Sequence, residues 1–234
     1  MKSIHNQKCE NWFDDGEGVV FEDFSFDTCF FDHCGLSLGT KCELRSTLRH
    51  VIVRNCTVGH VSVGPAIFED VLVDGLETHA MLILFGPLFK HVTLRGQIGE
   101  VKINESVHHS DRSPETQRPF DLAKAEYYRK VDWALDIREA EFRYFSSRGI
   151  PSQLIRRDSM SQVVVKREKA MSPQWKRRLS PNNKHWPIVI DICLESTNDP
   201  EFILVAEKRK GKRHFQHQID CLNELRDLGV AEPN

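Results

Sequence analysis

Apolar residues recur every five positions over residues 51–73. One series contains Val51, Cys56, Val61, Ala66 and Val71, and a second series two places later contains Val53, Val58, Val63, Phe68 and Val73. An α-helix of 3.6 residues per turn cannot keep this spacing on one face, and a regular strand keeps only a period of two. Short strands joined by tight corners keep both series on one side. The pattern therefore predicts short stacked strands with two inward side chains each.

A longer repeat contains this pattern. The motif at residues 21–26 returns at residues 48–53, 68–73 and 89–94, with starts 27, 20 and 21 residues apart. Such periods are typical of solenoids, in which each repeat buries its apolar residues against its neighbours. We therefore predict stacked coils between residues 19 and 103, with Trp12 and Phe13 as an apolar plug over the first coil.

The five-residue pattern resembles that of the pentapeptide-repeat proteins. The pairs that carry the resemblance best are Phe24/Phe26, Cys29/Phe31 and Cys34/Leu36. The resemblance implies a right-handed, four-sided parallel β-helix and no single activity. Two features depart from the family: Val replaces Leu or Phe at most later centres, and the usual Asp or Asn between the paired residues is missing. The residues found there instead are Ser25, Phe30, Gly35, Thr57 and Ser62.

The second half of the chain has a different pattern. Residues 104–119 are polar and predict a loop, which includes His108 and His109. A helix should follow, with Asp121 as its N-cap and apolar residues at helical spacing up to Val131. Residues 142–150 echo residues 89–98, and this echo predicts a further coil over residues 134–150, although a helix over residues 134–145 fits the spacing nearly as well.

The last eighty residues predict a small α/β region. Residues 163–165 indicate a short strand, and residues 188–194 and 202–206 indicate either two strands or a buried helix followed by a strand. A closing helix is predicted up to Gly229 as its C-cap, with an apolar stripe at Phe215, Ile219, Leu222 and Leu225. The expected fold is thus mainly β with an α/β C-terminal part. It consists of a right-handed parallel β-helix with its cap over residues 1–110, and a helical excursion, a further coil and a basic α/β region over residues 111–234.

Charge is unevenly distributed along the chain. Residues 1–110 carry 15 acidic and 9 basic residues, whereas residues 111–234 carry 19 acidic and 23 basic residues. This asymmetry predicts a mild attraction between the two parts. No apolar run reaches the ~18 residues of a membrane span, and the N-terminus lacks the apolar core of a signal peptide. With seven cysteines and no zinc-knuckle spacing, we expect a cytoplasmic protein with packed thiols and no membrane association.

Acids and imidazoles alternate at equivalent positions of successive repeats. Asp23, His50, Asp70 and His91 follow this rule. Such a ladder suits a metal ion or a perturbed proton. Each residue adjoins an inward position, however, and should point into water. We therefore favour a solvated row, give His60 and His79 the same interpretation, and expect no metal and no cofactor.

Enzymatic activity has little support in the sequence. Parallel β-helices include carbohydrate lyases and hydrolases, which need paired carboxylates beside a basic residue. Glu69, Asp70 and Asp74 are candidates, but their neighbours in the wall are apolar or glycine. Phosphate-binding loops, dinucleotide-binding glycine motifs, HExxH and GxSxG are all missing from the sequence. We therefore assign no catalytic residue and retain a carbohydrate-active enzyme only as an alternative.

Basic residues of the second half form the candidate binding surface. They are Arg156, Arg157, Lys166, Arg167, Trp175, Lys176, Arg177 and Arg178, of which Trp175 offers a stacking surface. A solvated charged face is the competing interpretation. The preferred function is a non-enzymatic protein-interaction protein, for example a bacterial inhibitor or immunity-type protein. Binding of nucleic acid through the basic half is the alternative, and an end-to-end dimer is compatible with exposed solenoid ends.

Overall fold

The structure is a computed structural model that describes residues 1–14, 16–39, 41–107 and 113–232. Short strands dominate up to residue 156. They are β1 (Lys2–His5), β2 (Lys8–Glu10), β3 (Val20–Glu22), β4 (Phe24–Asp27), β5 (Phe30–Asp32), β6 (Cys34–Leu36), β7 (Thr47–Arg49), β8 (Ile52–Val58), β9 (Val61–Val63), β10 (Ile67–Glu69), β11 (Leu72–Thr78), β12 (Leu82–Phe85), β13 (Leu88–Lys90), β14 (Val92–Asn104), β15 (Leu135–Asp136), β16 (Ala140–Ser147) and β17 (Ile155–Arg156).

Helices and one strand pair make up most of the remainder. The helices are α1 (Pro114–Tyr128), α2 (Arg167–Ala170), α3 (His185–Ser196) and α4 (Lys212–Asp227), and the two strands are β18 (Gln162–Lys166) and β19 (Glu201–Val205). Within the described ranges, no helix has both the length and the apolar character needed to cross a bilayer. The fold is therefore mixed α/β, with helices concentrated after the strand-rich part.

Strands of successive repeats pair in parallel. Phe21 lies opposite Leu48, Leu48 opposite Phe68, and Phe68 opposite Phe89, which are the positions that the sequence repeat makes equivalent. One sheet contains the order β13-β10-β7-β3, and a 13-stranded sheet contains β1-β4-β8-β11-β14-β12-β9-β6. Together they form a curled half-barrel around an apolar interior. The predicted parallel stacking of the repeats is thus confirmed.

One corner of the half-barrel has a left-handed backbone conformation in every repeat. The φ angles are 60° at Asp23, 51° at His50, 54° at Asp70 and 56° at His91. Asp and His tolerate positive φ better than bulky or β-branched residues do. The alternating acids and imidazoles of the sequence therefore occupy sharp turns that place their side chains outside the sheet.

The helix after the first strand-rich stretch starts earlier than the sequence pattern predicts. Helix α1 begins at Pro114, and the Ser113 hydroxyl accepts the backbone N–H of Thr116. Asp121 is inside this helix and is not its N-cap. Serine followed by proline at the first helical position is a strong signal for a helix start. Pro119 inside the helix argues against a helix at this point, so the sequence pattern placed the start after it. The predicted loop residues His108 and His109 lie outside the described ranges.

Residues 134–150 return to the large sheet as strands, so the helical alternative is excluded. Strands β15 and β16 both pair in parallel with β14. The register differs from the sequence echo, however, because Phe142 lies opposite Ile98 and not opposite Phe89. The sequence echo therefore predicted correctly that this segment forms strands, but it gave the wrong pairing partners in the neighbouring strand.

The C-terminal α/β part has a core of its own. Strands β18 and β19 pair antiparallel, so the second of the two apolar runs is a strand and the first belongs to α3. Helix α4 presents the predicted apolar stripe, and Gly229 follows it with a φ of 72°. The buried residues of this C-terminal core include Val165, Ile190 and Leu222, each at most 1 % exposed.

Ion pairs join this part to the half-barrel. Arg209 lies 2.8 Å from Glu77, which also binds Arg143. Lys208 lies 2.7 Å from Glu141. Arg143 and Arg209 of the basic second half therefore neutralise Glu77 of the acidic first half, in agreement with the attraction that the charge asymmetry predicts, whereas the Lys208–Glu141 pair lies within the second half.

Candidate functional site: an apolar cavity and two charged corners

The interior of the half-barrel contains a cavity of about 700 Å³. Its wall consists almost entirely of inward apolar side chains from β1 to β15. Many of these side chains are only half-buried although they point inward. Examples on the cavity wall are Phe26, Leu48, Val53, Phe68, Val73 and Leu76.

Side-chain volume explains the cavity. The pentapeptide-repeat pattern places Leu or Phe at the inward centres, and this chain has Val53, Val63 and Val73 there. Valine is too short to bridge the interior, so opposite walls leave space between them. The repeats stack in parallel as predicted, but the space between their inward centres stays open.

An empty cavity of this size is energetically costly. Side chains on an unfilled wall have no contact partners on their inner side and lose the corresponding dispersion energy. Water would find few hydrogen-bonding partners on an apolar wall. The energetics therefore favour an apolar occupant.

The cavity reaches the surface at the first repeat. Trp12 and Phe13 line it and are 46 % and 57 % exposed, so the predicted plug covers this end only partly. Asn11 and Asp14 are the polar residues at this mouth. The Asp14 carboxylate accepts the Ser37 backbone N–H at 2.5 Å and therefore serves the surrounding loops.

The opposite end of the cavity is closed. Ile103 and Leu135 line it there and are 2 % and 0 % exposed. Tyr128 at the end of α1 and Val131 after it pack into the same core cluster. The cavity is thus a blind channel that opens at the N-terminal repeat.

A row of charged side chains follows the left-handed corner. His91 lies 3.0 Å from Asp70 and 2.7 Å from Asp132, and its ring stacks on Trp133. These contacts, led by the hydrogen bond to Asp132, raise the pKa of His91. His50 lies farther from its carboxylates, at 3.7 Å from Asp23 and 3.8 Å from Asp70. The row faces outward, as the sequence indicated, and alternating charge stabilises the stacking of successive repeats.

A second corner gathers one carboxylate and two imidazoles. Asp32 Oδ2 lies 3.1 Å from His33 Nδ1, and Asp32 Oδ1 lies 3.2 Å from His60 Nδ1. The backbone N–H of His60, the His60 ring and His33 lower the pKa of Asp32 to about 2. The sequence analysis considered His60 without its neighbours. The offset of 27 residues between His33 and His60, equal to that of the first two repeat motifs, could have revealed the pair.

Several of the predicted basic binding residues are occupied by internal contacts. Arg167 donates to the carbonyls of Leu194 and Thr197 at the end of α3. Arg157 pairs with Glu232, and Lys176 pairs with Asp191. These contacts stabilise the C-terminal part and leave fewer cations for a phosphate backbone.

Trp175 requires a correction. It is 4 % exposed, and its indole N–H donates to the Ala170 carbonyl at 3.0 Å. A base cannot stack on it. Arg156 instead stacks over Trp133 at 4.1 Å. The predicted residues that remain exposed are Arg156, Lys166, Lys176, Arg177 and Arg178.

The carboxylates considered for carbohydrate chemistry are held by cations or by hydrogen bonds. Arg49 binds Glu69 at 2.9 Å, and the Tyr127 hydroxyl donates to the same carboxylate at 3.3 Å. Arg95 binds Asp74 at 2.7 Å. These contacts connect one repeat to the next and give no support to an acid–base pair around a glycosidic bond.

Comparison with known proteins does not place the chain in a family. No protein-family model matches the chain, and no curated protein matches it significantly. The functional conclusion therefore rests on the cavity and the side chains around it.

Proposed function

We propose that this protein is a non-enzymatic binding protein that holds an elongated apolar molecule inside its repeats. In this proposal the curled parallel sheets are a short right-handed parallel β-helix, similar to that of the pentapeptide-repeat proteins. The apolar cavity of about 700 Å³ is the observation that supports the proposal. The sequence-based expectation of a binding protein is kept, and the binding surface moves from the outer wall to the interior.

The shape of the cavity favours a linear ligand. Its wall extends from Ile4 on β1 to Leu135 on β15, and the strand row β1-β4-β8-β11-β14-β15 contains five inter-strand steps. At ~4.8 Å per step the channel is about 24 Å long, and this length suits an extended molecule such as an acyl chain. Its polar end would remain at the mouth, beside Asn11.

Binding of a fluorescent fatty acid tests this proposal. Cis-parinaric acid fluoresces strongly only in apolar surroundings, and the wild-type protein should bind it with saturation at one molecule per chain. Val53 and Val73 lie opposite each other on adjacent strands and both line the cavity. The double variant Val53→Phe/Val73→Phe fills the middle of the channel and should weaken binding at least about tenfold.

A matched control uses the same two strands. Ile52 and Leu72 are the preceding residues, pair with each other and point to the opposite face. The variant Ile52→Phe/Leu72→Phe should bind the probe as the wild type does. The proposal fails if the wild-type protein shows no saturable binding, or if both double variants weaken binding equally while circular dichroism shows intact folding.

The other sequence-based expectations remain predictions. They include the inhibitor or immunity-type role, nucleic-acid binding, the end-to-end dimer and the cytoplasmic location. Nucleic-acid binding has less support than before, because Arg157 and Arg167 have partners within the chain and Trp175 is buried.

A further inference from the structure

The corner formed by Asp32, His33 and His60 is outside the cavity and plays no part in the proposed binding of an apolar molecule. Asp32 ends β5 and His33 follows it, while His60 lies between β8 and β9. Cys34 pairs with Val61 in the next repeat, and the Cys34 N–H donates to the His60 carbonyl. This strand pairing holds the two histidines one above the other, with ring centroids 5.2 Å apart.

The backbone orients the carboxylate of this corner. The His60 N–H donates to Asp32 Oδ1 at 2.8 Å. A Cβ atom at residue 59 would overlap the same oxygen, so Gly59 leaves the space that the carboxylate occupies. The Asp32 side chain is only 15 % exposed, whereas those of His33 and His60 are 62 % and 78 % exposed. The carboxylate is therefore fixed, and the two imidazoles can turn toward a common point in solvent.

We propose that Asp32, His33 and His60 bind a divalent transition-metal ion, for which Zn²⁺ is the natural probe. One donor atom from each residue lies within 4.8 Å of the other two. Zinc bound at ~2.0–2.2 Å by tetrahedral N and O ligands places those ligands about 3.3 Å apart. His33 Nδ1 lies 3.1 Å from Asp32 Oδ2, and His60 Nδ1 lies 3.2 Å from Asp32 Oδ1, so each imidazole reaches a different oxygen of the carboxylate. A rotation of the exposed imidazoles brings one nitrogen of each ring to a common carboxylate oxygen.

The donor set determines the type of metal. Two imidazoles and one carboxylate suit zinc and neighbouring transition metals better than calcium or magnesium, which prefer oxygen ligands only. Three protein ligands leave one position for water. The nearby cation Lys8 lies 2.5 Å from Glu10, so its charge is balanced on its own strand.

The test is calorimetric titration of the full-length protein with Zn²⁺ after chelator treatment. One ion should bind per chain. Asp32→Asn and His60→Gln should each weaken binding at least about tenfold. His50→Gln is the matched control, since it removes an imidazole from the other charged corner and should leave the affinity unchanged. Cobalt spectra of the same proteins should lack the intense near-ultraviolet band of a thiolate ligand, because the free cysteines would otherwise be the competing site.

A further variant separates positioning from ligation. Gly59→Ala retains all three ligand residues, but its Cβ atom would push the Asp32 carboxylate away from its present position. The φ of residue 59 is not positive, so the backbone conformation is not strained for alanine. It should weaken zinc binding while leaving the circular dichroism spectrum unchanged. The inference is overturned if zinc does not bind, if His50→Gln weakens binding as much as His60→Gln does, or if the cobalt complex shows thiolate ligation. Fatty-acid binding should not change in any of these variants, so failure here leaves the proposed function untouched.

Discussion

The early and late repeats of the half-barrel have the same strand pairing but very different interiors. In the late repeats Ile98, Leu135 and Phe142 are all 0 % exposed. In the early repeats Phe26 and Val53 also point inward and remain half-buried along the cavity wall. Parallel pairing continues from one part to the other, with one register shift between Asp74 and Leu76 where β11 pairs with β14, so backbone pairing alone does not decide how well the interior is filled.

Two physical differences separate these repeats. The late repeats have larger side chains at one inward position, because Phe142 lies opposite Ile98, Ile98 opposite Leu76, and Leu76 opposite Cys56. They are also covered by α1, whose Tyr128 joins their core, whereas the first repeat carries only Trp12 and Phe13 at its exposed end. In this half-barrel the corners and the strand pairing repeat along the chain, and the interior is filled only where side-chain volume and a cover are both present.

Truncation of an aromatic residue should destabilise the protein more in the well-packed late repeats than in the early repeats around the cavity. Phe142→Ala removes a ring that is 0 % exposed and packs on Phe145 at 4.5 Å, so it should cost about 3–5 kcal/mol of unfolding free energy. Phe26→Ala removes a ring that already faces the cavity, and it should cost less than about 2 kcal/mol. Urea denaturation followed by circular dichroism measures both values. Equal losses would show that the early interior is as tightly packed as the late one.

Enlarging a valine should have opposite consequences in the two halves. Val131 is 7 % exposed in the core cluster that contains Phe142 and does not line the cavity, so Val131→Phe overpacks the core and should cost about 1–3 kcal/mol. Val73→Phe instead extends into free space, and its effect should range from none to a gain of about 1 kcal/mol. The measurement is the shift of the urea midpoint at constant slope. A clear destabilisation by Val73→Phe would contradict the open interior.

Much of this architecture could be predicted from spacing, because inward positions and corners repeat along the chain. The equivalence of Phe21, Leu48, Phe68 and Phe89 needed only the motif. Elements outside the repeat were less predictable. Helix α1 was placed too late since Pro119 hid the start at Ser113 and Pro114.

The candidate sites depend on distances that no motif contains. The sequence shows valines at the centres but not the separation of the walls, so it could not predict the cavity. Asp132 reaches His91 only after a 41-residue excursion through α1, and no repeat places it there. The cluster of Asp32, His33 and His60 could have been found, because its members follow the repeat offset, but only once the first repeat is known to be longer than the others.

The smallest expected effect concerns the charged corner, which runs from the open repeats to the packed ones. His91 at the packed end has a folded-state pKa above the ordinary ~6.5, because Asp132 and then Asp70 bind its ring. Its contribution to stability is therefore complete below about pH 6.5 and is lost as pH rises through the raised value. The difference in unfolding free energy between wild type and His91→Gln should be larger at pH 5.5 than at pH 8.5, by less than about 1 kcal/mol because the pair is partly solvated.

The control for this last measurement is the equivalent residue of the open half. His50 lies 3.7 and 3.8 Å from its carboxylates, and half of its side chain is exposed. Substitution His50→Gln should therefore change the pH dependence less than His91→Gln does. Comparing each variant with the wild type at the same pH cancels the titration of all other groups. If both variants change the pH dependence of the unfolding free energy equally, the closer contacts of His91 add no stability. The difference between the two halves is then confined to the interior.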